Sequence, residues 1–246
     1  MVVAAMRPFG RAQDLELEFA GENRPALVTA LLAHFSKADP EFWWDQMVGA
    51  RVAALLRVLA ATDGVHAELT VRLSCAKAHC AAPFEVSLPF DALLKLSNHD
   101  EGPSTVQALL PGGRTVALRR PTGRDLGAWH GAPYATRRGA VAAMLDALVI
   151  EGEVTPDDEA AIADAMATDD PLVAFSISCA CPDCGAASDH PVDLEAVVLA
   201  QLGAQRRGLL REIHLLASSY GWTESEILAV SPARRAQYRA LVEDSP

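Results

Sequence analysis

The chain has 246 residues, half of them apolar, and a formal net charge of -11. That length allows a substantial core in one large domain or two small ones, yet no run approaches the ~20 uncharged apolar residues that a membrane span needs. The opening MVVAAMRPFG lacks a charged-then-apolar signal layout, so cytoplasmic residence without a membrane partner is expected, and so acidic a surface is poorly suited to nucleic-acid phosphates.

From Arg24 to Phe35, the residues Leu27, Val28, Leu31, Leu32 and Phe35 recur at the spacing of one buried helical face. Asp39 and Pro40 read as an N-cap and a first-turn proline, opening a second helix through Met47, Val52, Leu55, Leu56 and Leu59 to a turn at Asp63-Gly64. Phe42, Trp43 and Trp44 stand side by side near its start, and one helix face cannot bury all three. They either pack on a second layer or meet a partner. HAELTVRLSC and FEVSLPF then alternate with a period of two, which predicts strands. LPGGRTVALRRPTGRDL predicts a turn, a strand at TVALRR and a helix cap at Thr122 or Asp125. Arg119 and Arg120 before PTGRDL could hold an anion, although capping explains the motif as well.

After the Gly/Pro-rich GAWHGAPYATRRG, a helix carries Val141, Met144, Leu145, Leu148 and Val149, and another begins with Thr155 as N-cap. The stretch 151–170 holds eight acidic residues and no Lys or Arg, the composition of a solvated helix face. LVAFSISC reads as a strand. From Leu194 three helices follow: one ending at Gly221, one opened by the capping box Thr223 and Glu226, and one beginning at Ser231-Pro232.

All five cysteines fall in two similar segments, LSCAKAHCAAPFEVSLPFDALL from Leu73 and ISCACPDCGAASDHPVDLEAVV from Ile177. Cytosolic reductants keep thiols free, so metal binding explains the clustering better than a disulfide framework. A thiolate zinc site takes four ligands in a tetrahedron, commonly as two short knuckles. CPDCG is such a knuckle, stiffened by Pro182 and turned back by Gly185. Alone it supplies half a site, and Cys75 and Cys80 offer the other half across a longer loop. The preferred set is Cys75, Cys80, Cys181 and Cys184, holding a structural Zn2+ with no open position for a catalytic water. Aligning the repeats pairs Cys75 with Cys179, and His79 adjoins Cys80, so Cys179 and His79 stand as alternative ligands.

The other histidines (His34, His66, His99, His130, His190 and His214) form no H-E-x-x-H, and no G-x-S-x-G, P-loop or dinucleotide glycine pattern is present. His190 follows the second knuckle, as an outer-shell partner or an ordinary loop residue. Arg234, Arg235 and Arg239 invite a helix-turn-helix reading, but Tyr238, Leu241 and Val242 demand burial on the same short helix, so nucleic acid is not the expected partner.

The tail REIHLLASSYGWTESEILAVSPARRAQYRALV resembles the C-terminal signature of the phage-type (T-even-like) baseplate hub assembly chaperone family of contractile tails and injection systems. The resemblance extends from about Arg51 onward. Its pieces here are Cys75 to Glu85, the PTG-x-DL segment Pro121 to Leu126, the knuckle Cys181 to Gly185, and Arg211 to Trp222 with Arg234, Arg235 and Tyr238. CAKAHC stands where the family has a tighter knuckle. The resemblance implies a non-enzymatic, metal-tied protein that binds baseplate hub or wedge proteins, either as an assembly chaperone or adaptor or as a stable baseplate component. A zinc-ribbon regulator of nucleic acid is the reading from another class. Trp43, Trp44, Arg211, His214, Tyr220 and Trp222 are the expected partner contacts. The fold expected is α+β and mainly helical, with two small antiparallel zinc-knuckle ribbons sharing one metal site. Its regions are helical 1–66, a duplicated strand and knuckle part 67–195 with helices inserted at 122–170, and helical 196–246.

Overall fold

The computed structural model describes residues 5–64, 67–97 and 105–243; His66 and His99 lie outside the described residues. Helix α1 (Arg24–Phe35) starts where the Asn23 side chain accepts the Ala26 N–H, and it buries Val28, Leu31, Leu32 and Phe35. The second expected helix is two helices, α2 (Pro40–Trp44) and α3 (Val48–Asp63). Periodicity carries through the junction, but the backbone there is used elsewhere. Gln46 O accepts from the Gly123 N–H and the Val48 N–H donates to Pro121 O, each at 3.0 Å, so the PTG segment pairs with the break.

Two antiparallel ribbons follow the sequence pattern. Strands β1 (Glu68–Ser74) and β2 (Pro83–Pro89) pair from Glu68–Pro89 to Ser74–Pro83. Leu69, Val71 and Leu73 all point to the core face, as a period of two requires. Helix α4 (Phe90–Leu96) follows, unannounced by the sequence reading, and buries Phe90 and Leu93. Between the two ribbons in chain order comes an antiparallel three-stranded sheet, with β4 (Thr115–Arg119) between β3 (Thr105–Leu109) and β5 (Val149–Glu151). Helices α5 (Gly123–Gly131), α6 (Arg137–Leu148) and α7 (Glu159–Asp169) accompany it. The second ribbon is β6 (Ser176–Ala180) with β7 (Ala187–Pro191).

Helix α8 (Leu194–Tyr220) is capped by Asp193 and ends on Gly221 in the left-handed conformation, φ 71°. Thr223 and Glu226 form the expected capping box of α9 (Glu224–Ala229), and α10 (Pro232–Glu243) follows. The α+β class expected from the sequence therefore holds, mainly helical with small antiparallel sheets. Among the described residues, no helix is long and apolar enough to cross a membrane.

Packing crosses the three expected regions. One core gathers Leu32 and Phe35 of α1, Leu55 and Leu56 of α3, Leu69 and Val71 of β1, Ile177 of β6, and Val198 and Leu202 of α8. A smaller core of Ala108, Val116, Leu118, Leu148 and Ile162 belongs to the β3–β4–β5 sheet with α6 and α7. Boundaries near residues 66 and 195 are therefore not packing boundaries: each ribbon is too small to bury its apolar face alone and shares a core with the terminal helices.

Candidate metal centre

Each ribbon ends in a knuckle, and the two knuckles are built alike. Cys75 follows the last residue of β1 and donates its N–H to Ala82 O at 2.9 Å; Cys181 follows the last residue of β6 and donates to Ala186 O at 3.0 Å. The residue after the second cysteine of each knuckle is left-handed, Ala81 at φ 47° and Gly185 at φ 71°. The structural equivalence is thus Cys75 with Cys181 and Cys80 with Cys184, and the two extra residues of the first knuckle are taken up between its cysteines. Alignment on Cys179 is out of step with the strand ends. Cys179 lies inside β6 opposite Ser188, and His79 is exposed.

The Sγ atoms of Cys75, Cys80, Cys181 and Cys184 all lie within 4.8 Å of one another, a group that could hold a metal ion. Cys75 meets Cys184 at 3.6 Å and Cys80 meets Cys181 at 3.9 Å, so both contacts cross between ribbons. Neither Cys179 nor His79 belongs to the group. Burial is graded: Cys75 and Cys181 are buried, Cys80 is intermediate and Cys184 is exposed.

The sulfurs do not ionise alike. The Cys184 and Asp183 N–H groups donate to the Cys181 sulfur and, with the Cys75 and Cys184 thiols, outweigh desolvation, bringing its pKa down to about 7. The Lys77 N–H favours the Cys75 thiolate too, but desolvation and the facing thiols of Cys184, Cys181 and Cys80 prevail and push it up to about 12. At Cys80 the Ala82 N–H is likewise overcome by desolvation and by Cys184 and Cys181, and its pKa is raised. Four thiolates this close repel one another, and a cation among them removes the conflict while displacing the remaining protons.

Around the thiols the ribbons touch directly. His190, 9% exposed, sits within β7 and not in a loop, packs edge-on against Phe84 of β2 at 5.8 Å, and shares a hydrogen bond with the Ser188 hydroxyl at 2.8 Å. It links the ribbons through packing.

The residues expected to meet partners are distributed differently. Trp43 is only 4% exposed and its Nε1–H donates to the Ser36 hydroxyl, so it is a core residue and unavailable as a contact. Trp44 is half-buried beside the Arg51 guanidinium, 5.6 Å from its ring centre, and lies against Gly127 of α5. Tyr220 and Trp222 stack at 4.9 Å, and Tyr238 stands edge-on to Trp222 at 5.0 Å. This three-ring cluster holds α10 on the end of α8. Tyr220 keeps 39% of its surface exposed, and Arg211 and His214 are exposed on α8. Arg235 is buried against Glu212 and Val230 O, which removes it from any phosphate-binding face.

Sequence reading passed over Arg51. Its side chain is fully buried, donating to Trp43 O, Pro25 O and Thr29 Oγ1, and desolvation, against the field of Glu195, lowers its pKa to about 10. It remains a cation at neutral pH. A Cβ on Gly123 would collide with that guanidinium, which explains the glycine of the PTG segment. A cleft of about 590 Å³ beside α1, α3 and α8 is lined by Val52, Phe175 and Val192, with Arg24 at its edge already paired to Asp193 at 2.7 Å and Glu195 at 2.9 Å.

No family model matches the chain, and no curated protein or solved structure is significantly similar to it.

Proposed function

We propose that the chain is a non-enzymatic assembly chaperone or adaptor for the baseplate hub of a contractile phage tail or injection system, its two ribbons tied by a structural zinc ion. The thiol geometry carries the metal half of this reading. Zinc–sulfur bonds of about 2.3 Å in a tetrahedron set the sulfurs about 3.8 Å apart. The cross-ribbon pairs stand at 3.6 and 3.9 Å. Thiolates suit zinc, Cu(I) and iron–sulfur clusters, and sulfurs this close suit a single ion, with less room than a multi-iron cluster needs. Four thiolates leave no open position for a substrate or water, so the ion's work is to hold Cys75 and Cys80 against Cys181 and Cys184.

The assembly half is supported by the order of the motifs along the chain and by what their residues do. Asp125 caps α5 through Thr122 and pairs with Arg119, Glu212 pairs with Arg235, and Tyr220, Trp222 and Tyr238 clamp the last helix. A rigid frame with Arg211, His214 and Tyr220 exposed along one helix suits a protein that presents a surface to hub or wedge proteins.

The test of the assembly reading is to tag the chain in its native producer, capture it during assembly, and compare its partners with the proteome of finished particles. Recovery with hub or wedge proteins and absence from particles is the expected result; stoichiometric presence in particles makes it a structural component. Recovery with neither overturns the baseplate reading, and enrichment of RNA or transcription factors instead favours the nucleic-acid regulator. Elemental analysis of protein purified in reducing buffer tests the metal, with one zinc per chain expected.

A further inference from the structure

We propose that oxidants convert this metal site into two disulfides that bridge the ribbons, Cys75–Cys184 and Cys80–Cys181, so that the crosslink survives loss of the ion. The inference rests on the zinc reading of the same four cysteines. Two observations carry it. The thiol–thiol contacts at 3.6 and 3.9 Å both join one ribbon to the other. Each contact also joins a more accessible cysteine to a buried one: exposed Cys184 to buried Cys75, and intermediate Cys80 to buried Cys181. That is the arrangement in which one sulfur meets an oxidant and the other resolves it.

With hydrogen peroxide as oxidant, the Cys184 thiolate attacks one peroxide oxygen, the O–O bond breaks, and with one proton taken up a sulfenic acid and water form. The Cys75 thiolate then attacks that sulfur, the S–O bond breaks, and hydroxide leaves as water after protonation. Each disulfide consumes one peroxide and two protons, the sulfurs are oxidised and the peroxide oxygens reduced. Cys80 and Cys181 follow by the same route, and with no thiolate left the zinc ion departs as Zn2+. The consequence is a frame that keeps its ribbons joined under both reducing and oxidising conditions.

The sequence makes the pairing easy to read. Lys77 separates Cys75 from Cys80, so trypsin places them on peptides 73–77 and 78–95, while Cys179, Cys181 and Cys184 share peptide 139–206. The zinc-loaded full chain is treated with peroxide, released zinc is followed with a chromogenic chelator, and unreduced peptides are mapped by fragmentation. The expected result is one zinc released per two peroxides consumed, with 73–77 joined to Cys184 and 78–95 joined to Cys181. The oxidised, zinc-free chain should also melt above the reduced chain stripped by chelator. Joining of 73–77 to 78–95, a Cys181–Cys184 bridge, or sulfinic and sulfonic acids in place of disulfides would overturn the proposal. A chain that carries no zinc as purified overturns the zinc reading instead, because the peptide map reports sulfur pairing whether or not metal was present.

Discussion

The residues that decide the metal centre are few, and their roles separate. In the proposed zinc site, Cys181→Ser or Cys184→Ser would remove one of four ligands, and metal binding at such sites supplies on the order of 10 kcal/mol of folding free energy. For a chain of this size each kcal/mol moves the melting temperature by about 2–4 °C, so either variant should melt roughly 10 °C or more below the parent in zinc-containing buffer. Cys179→Ser, which touches no ligand position, should melt close to the parent. Melting of all three variants at the parent's temperature would refute a structural metal. Ala81 is the one non-glycine residue with positive φ among those described. An L-residue there costs about 1–2 kcal/mol, partly offset by its smaller loss of backbone entropy than glycine's. Ala81→Gly is therefore expected to stabilise by up to about 1 kcal/mol, and Gly185→Ala to destabilise by a similar amount. Denaturation midpoints of the two variants check the pair, and a stabilising Gly185→Ala would contradict the shared knuckle geometry.

Elements are held in place by polar junctions as well as by their apolar faces. The segment before α1 is fastened by Asp14, whose side chain has no exposed surface and takes hydrogen bonds from Arg7, His34 and the N–H groups of Gly10 and Arg11. Desolvation alone would raise its pKa; Arg7, His34 and the two N–H groups prevail and lower it to about 2. A carboxyl that is a stronger acid folded than unfolded, where its ordinary value is about 3.9, stabilises above that value. The contribution, roughly 2–3 kcal/mol, is lost as pH falls through about 2. Urea unfolding between about pH 5 and about pH 2 should show that loss in the parent and lack it in Asp14→Asn, which should already be destabilised at neutral pH. A parent and variant with the same acid slope would remove Asp14 from this role. The break between α2 and α3 follows the same logic at backbone level, since Gln46 and Val48 exchange helical hydrogen bonds for pairing with Pro121 and Gly123.

At the scale of the whole molecule, the two cores are expected to respond differently to a metal held by the four cysteines. Cys75, Cys80, Cys181 and Cys184 join ribbons that share the larger core, whereas the β3–β4–β5 sheet with α6 and α7 has a core of its own. Removing zinc with a chelator should raise amide exchange in β1, β2, β6 and β7 while leaving β4 and α7 protected; uniform loss of protection would show one cooperative unit instead. Much of this organisation is visible in the chain as written. The helical spacing of α1, the alternation of β1 and β2, the caps at Asp39, Thr122 and Thr223, and Gly221 as a C-cap follow from interactions within a few residues, which local sequence specifies. The two cysteine pairs were also legible as knuckles, because knuckle spacing is local chemistry, whereas the fold brings the four sulfurs within 4.8 Å of one another. Sequence by itself thus determined the class of fold and most element positions, and it narrowed the candidate ligands to the cysteines and His79. Tertiary structure alone decided the equivalence of Cys75 with Cys181, the burial of Trp43, the cation at Arg51 that requires Gly123, and the split between α2 and α3. Each of these depends on contacts between residues far apart in the chain, whose free energy overrides a local pattern without leaving a mark on it.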